Sequence, residues 1–129
     1  MKPRILIVDD DEGITQQLFW TLSDDYEVMT ANDLQSAIRR ATIYQPDVSI
    51  LDLHLPPEVE SAEVGLRILE YLKTHLPDSK VLVITSAAGM STRKACSAGG
   101  ADEFLAKPFD TEQLLTTMRR MAPPSFDLV

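Results

Sequence analysis

Short runs of β-branched and aliphatic residues alternate along the chain with stretches in which apolar residues recur every three or four positions. Ile5-Leu6-Ile7-Val8 carries no polar break, the pattern of a strand covered on both faces. From Glu12 to Leu22 the residues Ile14, Leu18, Phe19 and Leu22 keep helical spacing and predict an amphipathic helix with these four inward. Tyr26 to Ala31 predicts a second strand. Asp33 then stands as an N-cap for a helix whose inner stripe is Leu34, Ala37, Ile38 and Ala41. Val48 to Leu51 predicts the third strand after the Pro46-Asp47 break. Leu66, Leu69, Tyr71 and Leu72 mark a third helix that ends near Pro77. Lys80 to Thr85 is the fourth strand, Ser91 to Ala98 the fourth helix, Glu103 to Ala106 the fifth strand, and Thr111 to Met121 the fifth helix. Gly99-Gly100 gives the fourth helix a C-terminal stop. Five strand-then-helix units predict an α/β domain, its parallel sheet covered by helices on both faces.

Length and composition narrow the class without changing this picture. The 129 residues suit one domain with one full core, and 44% hydrophobic with 25% charged residues is globular rather than disordered composition. The net charge of −8 disfavours nucleic acid and anionic membrane as direct partners and favours a cation or a basic protein surface. A single cysteine, Cys96, excludes an internal disulfide and a multi-cysteine metal site, and is expected to pack in its helix near the sheet. No window reaches the length of a membrane span, and the apolar run after MKPR is too short for a signal peptide, so the expected setting is the cytoplasm. Residues 1–122 are expected to form the domain, with 123–129, beginning Pro123-Pro124, as a linker or cut end.

Chemistry is expected at the carboxyl ends of the strands, where ligands of open parallel sheets bind. Strand one runs into Asp9-Asp10-Asp11, strand three into Asp52, strand four ends in Thr85-Ser86, and strand five runs into Lys107-Pro108. Singly, each has an ordinary reading as a helix cap, a satisfied hydroxyl or a solvated charge. Jointly they predict one polar rim. Two carboxylates about 5 Å apart repel by roughly 3 kcal/mol at an effective dielectric near 20. Three such acids facing one lysine therefore call for proton uptake or a divalent cation. Hard oxygen donors without a histidine or cysteine cluster favour Mg²⁺ or Mn²⁺ over zinc. A carboxylate left free in that setting is a possible nucleophile toward a phosphoryl group, whose charge the metal and lysine would offset.

In order, ILIVDDDE, ILDLHLP, VLVIT and FLAKPF resemble the landmarks of bacterial two-component response regulator receiver domains, over roughly residues 4 to 121. The resemblance implies a flavodoxin-like, doubly wound five-stranded sheet in the order 2-1-3-4-5, with five helices in an α/β/α sandwich. It implies Asp52 as phosphoacceptor and Asp9 and Asp10 as the acidic pair that, with Asp52 and the backbone carbonyl of His54, holds Mg²⁺. Asp11 falls to the loop or caps the first helix. Thr85 is the implied switch hydroxyl, Lys107 the implied ligand of a phosphoryl oxygen, and Phe104 the aromatic that turns inward when Thr85 moves. A cis peptide before Pro108 is also implied. The implied donor is a sensor histidine kinase or phosphotransfer protein. The implied output is a changed surface on the fourth helix, fifth strand and fifth helix that controls a homodimer, an attached domain or a partner, with transcription the expected process.

Two departures stand out. Eight residues, PEVESAEV, separate Pro56 from Gly65, where such domains place the glycine soon after the proline. That loop, with Glu58, Glu60 and Glu63, reads as a solvated extension similar to that of certain enhancer-binding activators. Ser86 follows Thr85 where a smaller residue is common. Two alternatives remain open: an aspartate-based phosphohydrolase, whose general acid would fall at His54, and an interaction module of the same fold that works without phosphorylation. Outside the rim, Trp20 is expected to be half-exposed, Phe19-Trp20 to be core and rim, and His75 to be solvated at a helix end.

Overall fold

The structure is a computed structural model that describes residues 2–57, 59–86 and 89–124; Glu58 of the extended loop and Ser125–Val129 of the tail lie outside these. Five strands, β1 (Arg4–Val8), β2 (Glu27–Ala31), β3 (Val48–Asp52), β4 (Lys80–Thr85) and β5 (Glu103–Ala106), alternate with five helices, α1 (Glu12–Leu22), α2 (Leu34–Tyr44), α3 (Glu63–His75), α4 (Met90–Ala98) and α5 (Thr111–Met121). All pairings are parallel and the order is β2-β1-β3-β4-β5. This is the order the resemblance implies.

Alternation of side chains along each strand divides the core in two. Leu6, Val8, Leu51, Val81 and Val83 face one side, against Ala37 and Ala41 of α2, Ile68, Leu69 and Leu72 of α3, and Cys96 of α4. Ile5, Ile7, Val48, Ile50, Leu82 and Ile84 face the other, against Leu18 and Leu22 of α1 and Leu114, Met118 and Met121 of α5. The apolar runs of β1, β3 and β4 are thus two interleaved half-runs, each buried by its own helical layer.

Polar residues set the starts of α1, α2 and α5. Asp11 caps α1 by accepting from the N–H groups of Gly13 and Ile14, and Asp33 and Asp110 form capping boxes with Ser36 and Gln113. At the end of α4, Gly100 takes a φ of 94°, which a glycine adopts without penalty.

Three expectations need correction. Phe19 is 37% exposed and Trp20 76%. The buried face of α1 is Leu18 and Leu22, and Phe19, one residue and about 100° further round, falls off it. Trp20 is well beyond half-exposed and meets Phe19 edge to face, with ring centroids 6.0 Å apart. Tyr26 precedes β2 rather than opening it. Its N–H closes the turn on the Leu22 carbonyl, and its buried hydroxyl donates to the carbonyl of Ala122 at 2.7 Å. Cys96 is buried as expected, and His75 is exposed, its ring stacked on Tyr71. Among the described residues no helix is long and apolar enough to cross a membrane.

Candidate functional site

The carboxyl end of the sheet brings the predicted residues together. Asp52 is the last residue of β3, and Asp9 and Asp10 follow β1, its neighbour in the sheet. Carboxylate oxygens from Asp9, Asp10 and Asp52 lie within 4.8 Å of one another. Asp9 and Asp52 are only 2% and 5% exposed, so water screens little of their repulsion, whereas Asp10 is open to solvent.

Lys107, just past β5, reaches back over this cluster. Its ammonium is 2.9 Å from Asp9 Oδ2 and 3.5 Å from Asp52 Oδ2, closer to the first acid than to the expected phosphoacceptor. The Lys107 N–H donates to the carbonyl of buried Thr85 at 2.9 Å, which ties the lysine's backbone to the end of β4. The Lys107–Pro108 peptide is cis. One main-chain donor also holds each buried carboxylate: Asp11 N–H on Asp9 Oδ1 at 2.9 Å and His54 N–H on Asp52 Oδ1 at 3.2 Å.

One cation against three acids leaves the cluster negative. Burial, followed by the charge of Asp9, pushes the Asp52 carboxyl up to about 6, and Lys107 only partly offsets this. A group of hard oxygens, two of its three carboxylates buried, with unbalanced charge and no histidine or cysteine ligand atom in it, fits Mg²⁺. Beside the acids a cleft of about 380 Å³, lined by Asp9 and Asp10, opens between Glu12, Thr15, Thr30 and Arg40. A wider groove of about 660 Å³ lies at the amino ends of the strands, near Arg4, Lys80 and Met121, away from these acids.

Thr85 and Phe104 sit on the β4–β5 side of the rim. Thr85 is fully buried at the end of β4. Phe104, opposite Val83 in the register, is half-buried, and the Arg93 guanidinium of α4 lies 4.5 Å from its ring centroid. The His54 imidazole does not join the acids: Nδ1 lies 2.9 Å from the carbonyl of Val59.

Three features of the site escaped the sequence reading. The Arg93–Phe104 and His54–Val59 contacts join separate elements or opposite ends of an irregular loop, so no periodic pattern announces them. Gly65 had a signal in its position at the far end of the extended loop. Its N–H donates to the Leu53 carbonyl at 3.1 Å, and a Cβ there would sit 2.3 Å from Leu53 Cα, so α3 starts in backbone contact with the segment that carries Asp52.

A sequence model of the family described as the response regulator receiver domain matches residues 5–119. The response regulator MprA of Mycobacterium ulcerans is 35% identical over 122 residues, 94% of this chain and 50% of that protein. The chain thus spans about half the length of the curated relatives it matches. Among solved structures, the chemotaxis protein CheY4 of Vibrio cholerae superposes with a TM-score of 0.85 at 30% identity, covering 94% of this chain and 99% of that one. A response regulator of Burkholderia pseudomallei, described with a phosphorylated aspartic acid, a calcium ion and citrate, gives 0.80 at 29% identity, over 89% of this chain and 65% of that one.

Proposed function

The chain belongs to the response regulator receiver domain family of two-component systems, and from that premise we propose that Asp52 accepts a phosphoryl group from a sensor histidine kinase or phosphotransfer protein. The observation that carries the proposal is the placing of the Asp52 carboxylate, buried, grouped with Asp9 and Asp10 and 3.5 Å from the Lys107 ammonium.

In the transfer, an Asp52 oxygen forms a bond to phosphorus as the donor's phosphorus–nitrogen bond breaks, and the bonding pair leaves on the donor imidazole. Asp52 must be ionised to attack, a state that the Lys107 ammonium and a bound cation favour against burial and the charge of Asp9. Asp9, Asp10, Asp52 and the His54 carbonyl would hold Mg²⁺, which when bound screens the carboxylates and the charge of the transferring group. Lys107 supplies a fixed positive charge to a phosphoryl oxygen and holds Asp9 in place meanwhile. The calcium ion and phosphorylated aspartate described for the Burkholderia relative support this assignment.

The acyl phosphate adds charge of roughly −1.5 to −2, by analogy with hydroxyl phosphorylation. Thr85 then donates to it, Phe104 turns into the space vacated, and the surface of α4, β5 and α5 changes shape. That surface would control a homodimer or an attached output domain, with transcription as the process it regulates. A phosphohydrolase would need a general acid two residues after its nucleophile; at that place the Nδ1 of His54 is engaged by Val59 and Nε2 is buried.

The test is labelling of the full chain by a small acyl phosphate donor with Mg²⁺, read by intact mass. The wild type gains one phosphoryl group, and Asp52→Asn or chelation abolishes the gain. Undiminished labelling of Asp52→Asn would overturn the assignment.

A further inference from the structure

His54 stands at the root of the extended β3–α3 loop, and its polar groups face three ways. Its N–H holds Asp52 Oδ1, and on the reading above its carbonyl is a ligand of the cation. Its ring lies 2.9 Å from the Val59 carbonyl, five residues on in the loop. A carbonyl oxygen only accepts, so Nδ1 is the donor in this bond. Nε2 is buried and has no hydrogen-bond partner among the described residues.

A buried ring nitrogen without a partner lowers stability, and an aliphatic side chain at this place would avoid that loss. Packing therefore does not account for the imidazole; its bond to Val59 does. Leu53 and Leu55 on either side are fully buried, and Gly65 is tied to Leu53. The loop is thus anchored at both ends, and the ring bond is its tie in between.

We propose that the His54 imidazole is a clasp that fastens the extended loop to the phosphoacceptor strand and thereby sets the divalent-cation affinity of the acidic cluster. The inference rests on the receiver reading of that cluster. With Nδ1 bonded to Val59, the peptide units on either side of His54 are fixed, one donating to Asp52 and the other offering its carbonyl. Without that bond, rotation of the loop turns both away from the cluster. His54 is a positioning residue, acting on the site through its own main chain and Asp52.

Magnesium binding by calorimetry to the full chain tests this, for the wild type, His54→Leu and His54→Asn. The asparagine amide nitrogen falls near the place of Nδ1 and can donate to Val59; leucine cannot. His54→Leu should weaken binding roughly 10-fold, as loss of an outer partner of metal ligands commonly does. His54→Asn should recover most of that loss. Amide exchange of residues 59–62 should quicken in His54→Leu and return in His54→Asn, with β1 and β4 unchanged in both. Unaltered affinity in His54→Leu overturns the clasp, as does an asparagine variant as weak as leucine. If His54→Leu does not fold, the asparagine variant decides alone: affinity near that of wild type supports the clasp, and a large loss overturns it. A wild type that binds no Mg²⁺ and takes no phosphoryl label would instead sink the receiver reading, and the clasp with it.

Discussion

At Asp52 chemistry and stability pull in opposite directions. A nucleophilic carboxylate must be ionised near neutral pH, yet burial and Asp9 hold its proton on up to about 6, against 3.8 for an ordinary aspartate. A raised folded-state value means the folded chain binds the proton more tightly than the unfolded chain. The resulting penalty builds as pH rises from the unfolded to the folded value and is complete above the latter. Asp52→Asn removes it, and in chelator at about pH 7.5 should stabilise the protein by about 1–3 kcal/mol in urea unfolding. The gain should shrink by more than half at about pH 4.5, where the wild-type carboxyl is largely protonated. A constant gain across that range would mean that the charge is not its source. Asp9, Asp52 and Lys107 were legible in the sequence because each directly follows an apolar strand, and strand ends of a parallel sheet converge. The reach of Lys107 toward Asp9 in preference to Asp52 was not, because it depends on side-chain lengths across 98 residues of chain.

Element boundaries followed the apolar pattern closely, since strands buried on both faces and helices buried on one leave distinct periods. The errors arose where adjacent apolar residues compete for a face, as with Leu18 and Phe19 in α1, and where a turn residue is itself buried, as with Tyr26. Gly65 shows an element whose composition is set by a neighbour. It lies in the first turn of α3, where alanine would favour the helix by about 1 kcal/mol. The added Cβ would meet Leu53 Cα at 2.3 Å and the Leu53 carbonyl oxygen at 2.6 Å, both backbone atoms that cannot swing aside. The clash outweighs the propensity. Gly65→Ala should lower stability by about 2 kcal/mol or more, measured by the urea midpoint. Because Leu53 adjoins Asp52, its phosphoryl labelling should fall as well. An alanine variant as stable as the wild type would show that α3 is free to shift away from β3.

For the whole molecule, the sequence pattern alone specifies a parallel sheet with two helical layers but not the order of strands. That order came from the resemblance, because neither period nor spacing states which strand lies beside which. The domain boundary near residue 122 can be argued from a single long-range bond. The Tyr26 hydroxyl, at the α1–β2 turn, holds the carbonyl of Ala122 just past α5, closing 96 residues of chain into one unit. Ala122 and Met121 are both buried, whereas Pro123 is exposed. We propose that the folding unit ends there. A chain cut after Pro124 should then unfold in one transition at the same urea midpoint as the full chain. Tyr26→Phe should cost about 1 kcal/mol, the net worth of a buried hydrogen bond, and more if the Ala122 carbonyl stays dry. The decisive comparison is Tyr26→Phe in both lengths. An equal loss in the two places the boundary at the bond, whereas a loss confined to the longer chain would show that residues beyond Pro124 share in the fold.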